Sequence, residues 1–163
     1  MNLSDWQIKK IETLAQYQET IADLYTLIGE KIPRYNIILL PIAVKNLNYA
    51  NWLRSLPEKI LKGEYEYEIM RFKIESVFTA LNYLKGEFKS IRENNISINS
   101  ALGILKGVES SDLACKFYEI VFQEDNESSE LENLKNDFKL EKIDTLHSLK
   151  EITYKKVVNQ LHK

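Results

Sequence analysis

The feature that most constrains this chain is a series of apolar stripes at helical spacing, with very little to interrupt them. Apolar residues recur at steps of three and four along most of the sequence, which places them on one face of an α-helix. Only 5 glycines and 3 prolines punctuate 163 residues. A turn-rich β fold needs many more such breakers. The pattern therefore predicts an all-α chain.

Five segments follow from the periodicity. Helix A is expected from Ser4 to Gly29, with the stripe Ile11, Leu14, Gln18, Ile21, Tyr25 and Ile28. Ser4 or Asp5 can cap it, and Gly29 with Pro33 ends it. Helix B is expected from Asn36 to Leu56, with Leu39, Ile42, Asn46, Tyr49 and Leu53 inward and Pro57 at its exit. A third helix, from Tyr67 to Glu93, would carry Ile69, Phe72, Val77, Leu81, Leu84 and Phe88. Helix C begins at Ser97, a good N-cap residue, with Ile98, Leu102, Leu105, Glu109, Leu113 and Phe117. An acidic loop is expected over Gln123 to Glu132, leading into helix D from Ser129 to Leu161. The helix D stripe is Leu140, Asp144, His147, Glu151, Tyr154, Val158 and Leu161. A short A–B connection implies antiparallel neighbours. The B–C interval is long enough for the third helix to act as a crossover, at about 1.5 Å per residue.

Length and composition narrow the function. The chain fits one domain spanning 1–163, large enough to bury a core without staples. Its formal net charge is −2 with the signs mixed, so there is no basic stripe for nucleic acid. The most apolar run, Tyr35 to Val44, is too short for a bilayer span and contains Pro41. The first residues lack the basic region of a signal peptide. The expectation is a cytoplasmic protein that binds neither nucleic acid nor membrane. Cys115 is the single cysteine, which excludes an intrachain disulfide and a Cys-rich metal site. It reads as a small buried hydrophobe. No Gly-rich phosphate loop and no nucleophile motif is present.

The informative residues are the polar ones lying in the apolar stripes. Helix A presents Gln18, helix B Asn46 and Tyr49, helix C Glu109, and helix D Asp144 and His147. All four helices thus turn polar groups inward. Di-metal carboxylate bundles are built this way, with a Glu from each of two helices and a Glu-x-x-His pair from each of the others.

On these residues the chain resembles the rubrerythrin branch of the ferritin-like superfamily. The resemblance rests on Leu14-Ala15 through Leu24-Tyr25, and on Ile32-Pro33 followed by Ile42-Ala43 and Tyr49-Ala50. It continues with Ser97 through Glu109-Ser110, and with Asp144-Thr145-Leu146-His147. It implies a ferritin-like antiparallel four-helix bundle with a long helical B–C crossover. It also implies a metal site, and here the sequence departs from the family pattern. Gln18 stands at the helix A ligand position, with Glu19 adjacent as a weak substitute. Asn46 and Tyr49 replace the helix B Glu and His. Glu109 remains, and Asp144 with His147 forms the helix D pair.

Charge arithmetic then disfavours two metals. Only Glu109 and Asp144 supply carboxylates, and uncompensated buried cations are costly. The primary expectation is a degenerate di-iron site, no cofactor, and a non-catalytic binding or interaction protein. Gln18, Asn46 and Tyr49 would complete a metal-free polar network with the C–D residues. The second expectation is an oxidoreductase using one Fe or Mn ion on Glu109, Asp144 and His147, ligands of suitable hardness. The partner expected is a second copy, giving a homodimer, or a ferritin-like paralogue. Trp6, Trp52, Phe78 and Tyr83 are candidates for an interface.

Overall fold

The computed structural model describes residues 3–123 and 130–161, with side chains of the last helix as far as residue 155. The described residues form α1 (Asp5–Lys31), α2 (Asn36–Leu61), α3 (Ile74–Glu93), α4 (Ile98–Glu109), α5 (Asp112–Lys116) and α6 (Glu130–Leu161). Two short 3-10 turns, Pro33–Tyr35 and Phe117–Ile120, and a two-residue antiparallel ladder complete them. The ladder pairs β1 (Glu66–Tyr67) with β2 (Val121–Phe122). The all-α expectation holds, and no helix among the described residues is long and apolar enough to cross a membrane.

α1 starts where its capping residues require. Ser4 precedes the first turn, and its amide donates to Gln7 Oε1 at 2.7 Å, which satisfies one of the donors a helix start leaves open. The buried face is the expected one: Ile11, Leu14, Gln18, Ile21, Tyr25 and Ile28. Gly29 does not end the helix, which continues to Lys31. Its role is steric. A Cβ there would sit 2.4 Å from Asn36 Oδ1, so the absent side chain is what lets the start of α2 approach α1. Across the same pair, Arg54 of α2 reaches Glu12 and Glu19 of α1. These two contacts set α1 and α2 antiparallel.

α2 runs through Pro57 to Leu61, beyond the expected stop. A proline inside a helix forfeits one backbone hydrogen bond. Leu56 and Ile60 are fully buried around it, and that burial holds the last turn in place.

The third helix begins at Ile74, not Tyr67. The residues before it form β1 and a turn, in which Phe72 takes a positive φ of 56° and Ile69 is exposed. Buried Lys10 of α1 shapes this turn. Its ammonium donates to the carbonyls of Arg71 and Phe72 at 2.9 Å each and of Ile69 at 3.4 Å. It also lies over the rings of Trp6 and Tyr67. Carbonyls that cannot pair within a helix are thereby satisfied. Burial lowers the Lys10 pKa, partly offset by Glu68.

α3 packs along α1 through Val77, Leu81, Leu84 and Ile91. Lys9 lies over Phe78 at one end and Lys31 donates to the Asn94 carbonyl at the other, so the two helices run parallel. The chain then turns at Ser97, whose hydroxyl accepts from the Ser100 amide at 3.2 Å. α4 returns alongside α1, and Tyr25 and Tyr17 meet Glu109 and Ser111 in turn. The expected helix C is not continuous. It stops at Glu109, Ser111 caps the short α5 through the Ala114 amide, and the chain becomes extended at Val121. α6 runs antiparallel to α4, with Lys106 paired to Thr153 and Glu109 to Lys142. The expected loop over Gln123 to Glu132 lies largely outside the described residues.

Candidate functional site

Four of the inward polar residues named from the stripes are buried: Gln18, Asn46, Tyr49 and Glu109. Glu109 ends α4 and points back between α1 and α6. Tyr25 Oη donates to its Oε1 at 2.9 Å. Lys142 Nζ donates to its Oε2, also at 2.9 Å. The same ammonium lies 3.4 Å from Asn46 Oδ1 and 4.9 Å from the centre of the Tyr49 ring. Asn46 Nδ2 donates to the Ile42 carbonyl one turn earlier in α2. The site is thus an internal ion pair capped by a phenol, an amide and an aromatic face.

Lys142 comes from a face of α6 that differs from the expected one. The buried line of α6 is Leu131, Lys135, Phe138, Lys142, Thr145, Leu149 and Ile152. Asp144 and His147 are on the exposed side, as are Leu140, Glu151 and Tyr154. Val158 and Leu161 have side chains outside the described residues. The structure therefore does not bring Asp144 and His147 to Glu109. Among the described residues no group of three or more His, Cys, Asp or Glu could hold a metal ion. Glu19 is also turned away from the core, bound to Arg54, which lowers its pKa.

The physical reason is the composition of α6. Its sequence supports two lines at heptad steps. The line chosen by the Asp-x-x-His pattern contains more ionisable residues with short stems. The observed line buries Leu, Phe, Leu and Ile together with two lysines whose four-carbon stems are themselves apolar.

An aromatic cluster walls one side of the pair. Phe117 lies 4.9 Å from Tyr49, Phe138 lies 5.2 Å from each of them, and Trp52 stacks edge-on against Phe117 and Phe138. Trp52 thus belongs to the core wall, whereas Trp6 and Tyr83 are exposed. Tyr49 Oη donates to Glu141 Oε2 at 2.5 Å. Burial, followed by this bond, pushes the Tyr49 pKa far above the ordinary tyrosine range. Burial does the same for Tyr25, reinforced by the charge of Glu109. Both phenols are therefore held as donors to carboxylates.

Cys115 sits just beyond, half-buried, with its thiol donating to the Glu109 carbonyl at 2.8 Å. Burial raises its pKa, which suits a packed thiol more than a reactive one. Gln18 is fully buried, and neither its Oε1 nor its Nε2 has a hydrogen-bond partner among the described residues.

Sequence reasoning missed Lys142. The available signal was its place one turn after Phe138 and two turns before Leu149 on the most apolar line of the helix. A basic side chain in that line would meet the acidic Glu109 in helix C. No family model, curated protein or solved structure matches this chain.

Proposed function

We propose that this chain is a ferritin-like bundle that carries its own cation where related bundles hold metal, and that it acts as a non-catalytic interaction protein. The observation carrying this reading is the Lys142 ammonium on Glu109. One buried positive charge neutralises one buried carboxylate, so nothing in the pair calls for an added ion. Helix direction supports the bundle. α1 and α2 are antiparallel, α3 carries the chain back, and α4 and α6 form a second antiparallel pair.

The interaction surface proposed is the outer face of α2. Ile37, Leu40, Val44 and Leu47 follow one another at steps of three, four and three and are 84, 46, 50 and 42% exposed. Such spacing forms a continuous seam for another helix. The occupant proposed is a second copy of this chain, packed antiparallel about a twofold axis between Leu40 and Val44. That arrangement sets the Arg34 end of one seam beside the Asp23 end of the other. Asp23 has its pKa raised by burial and by Glu19, with no cation among the described residues acting on it.

Two measurements test the reading. Thermal melts with and without Fe(II), Mn(II) or Zn(II) are expected to coincide, because a ligand of the native state would raise stability. A metal-dependent rise abolished by His147→Ala would instead restore the one-metal oxidoreductase. Sedimentation equilibrium is expected to show a dimer for the native chain and a monomer for Leu40→Glu/Val44→Glu. A monomer in both would remove the seam from the proposal.

A further inference from the structure

The contact between Lys142 and Asn46 has a chemical consequence beyond packing. A primary amine, a carboxamide and a carboxylate meet inside the core. Lys142 Nζ is 2.9 Å from Glu109 Oε2 and 3.4 Å from Asn46 Oδ1, and the three residues are 5, 1 and 1% exposed. The ring of Tyr49 lies beside the Lys142 ammonium and is itself packed against Phe117 and Phe138.

We propose that this triad forms an intramolecular amide bond, joining Lys142 Nζ to Asn46 Cγ with Glu109 as the proton acceptor. A lysine amine is a competent nucleophile once it gives up a proton, and an adjacent base or a desolvated site supplies that activation. Glu109 is in contact with Nζ and takes the first proton. The Nζ lone pair then forms the bond to Asn46 Cγ, and the Cγ–Nδ2 bond breaks. Nδ2 leaves as ammonia, taking a second proton that began on Nζ. The third Nζ proton stays in the new amide. The proton first passed to Glu109 remains there, so atoms and charge balance without any oxidant or co-reactant.

Two physical factors favour the step. The helices hold the amine against the amide carbonyl, which converts a slow bimolecular aminolysis into a reaction within one molecule. The product also removes an ion pair from the core, since a neutral amide beside a neutral carboxylic acid replaces an ammonium beside a carboxylate. Desolvated charge is expensive, and its loss draws the reaction forward. Tyr25 fits either state of Glu109, because a phenol donates to a carboxylate oxygen or to a carbonyl oxygen. The new bond would tie α2 to α6 across 96 residues of chain. This inference starts from the Lys142–Glu109 ion pair that carries the proposed function and consumes that pair in the chains that react, so the ion pair is the state before the bond forms; it does not depend on the α2 seam or on the ferritin-like reading.

Intact mass measurement of the purified full chain, folded, incubated and then denatured, tests it directly. The expected result is a species lighter than the sequence mass by one ammonia. A tryptic map is expected to contain one branched peptide that joins the Asn46 and Lys142 segments, with no cleavage after Lys142. Glu109→Gln is expected to keep the full sequence mass. A native chain that stays at the sequence mass after prolonged incubation overturns the proposal. So does an ammonia loss without the branched peptide, which would be a cyclic imide at an asparagine. A branched peptide in Glu109→Gln would overturn the role given to Glu109. If that variant does not fold, the mass and peptide map of the native chain still decide the bond itself.

Discussion

Lys142 Nζ and Glu109 Oε2 lie 2.9 Å apart, with both residues almost completely removed from solvent. They come from α6 and α4, and between them they hold Tyr25, Asn46 and Tyr49 around one point. An isolated buried charge is far more costly than a buried pair. Measured against native chain at the full sequence mass, in which the pair is intact, Lys142→Met alone or Glu109→Leu alone is therefore expected to destabilise the protein by about 3–5 kcal/mol. The double variant is expected to recover much of that loss, because two apolar side chains of similar size leave no charge behind. Urea denaturation of the four proteins gives the coupling energy. Additive losses would show that the two residues act separately.

The two buried phenols set the alkaline limit of stability. Tyr25 and Tyr49 both have folded pKa values raised above the unfolded value, chiefly by burial and then by the carboxylates they face. A raised pKa means that the native state holds its proton more tightly than the unfolded chain. The stability from these groups is full below the unfolded tyrosine pKa of about 10 and is lost as pH rises above it. Unfolding free energy is expected to fall steeply from about pH 10 upward. Tyr25→Phe and Tyr49→Phe should each flatten that fall while lowering stability at neutral pH. A profile unchanged by both substitutions would separate the phenols from the alkaline transition.

Much of this architecture was legible from residue spacing, and the misreadings share a physical origin. The core faces of α1 and α2 follow their apolar stripes, down to Gln18, Asn46 and Tyr49. Ser97 caps α4 as its residue type requires. Periodicity failed where tertiary contacts decide. Pro57 stays helical because Leu56 and Ile60 are buried on either side of it. The residues from Tyr67 to Lys73 leave the helix because Lys10 and the β2 strand, both remote in sequence, take their carbonyls and amides. α6 carries two heptad lines, and a local pattern of Asp144 and His147 pointed to the wrong one. What distinguishes the lines is the partner of Lys142, and that partner lies 33 residues away.

Gly29 and Asn36 make a reciprocal steric pair. A Cβ on residue 29 would come within 2.4 Å of Asn36 Oδ1 and 3.3 Å of its Cγ, but 3.8 Å from its Cα. The conflict is therefore with the asparagine side chain and not with the backbone. Gly29→Ala is expected to destabilise by about 1–3 kcal/mol, the usual cost of overfilling a packed contact. Asn36→Ser should relieve it, so that Gly29→Ala/Asn36→Ser is more stable than Gly29→Ala alone. Glycine also costs helix stability relative to alanine, so the double variant is expected to approach the native chain. Thermal unfolding of the three variants distinguishes this from a backbone clash, in which the second substitution would bring no recovery.

Gln18 presents a different situation, that of a polar side chain enclosed in the core. Its amide oxygen and nitrogen are both buried without a hydrogen bond among the described residues, on the same α1 face as Tyr25. An unsatisfied buried polar group costs about 1–3 kcal/mol. Methionine has nearly the same length and flexibility without that cost. Gln18→Met is thus expected to raise the unfolding free energy by about 1 kcal/mol or more. Gln18→Glu, which adds a charge at the same place, should lower it sharply, since Lys142 is already neutralised by Glu109. Denaturant midpoints at constant slope measure both changes. If Gln18→Met is the destabilising member of the pair, the amide is held by an ordered water inside the bundle, and the polar centre extends two helical turns further along α1 than the Tyr25–Glu109–Lys142 contacts.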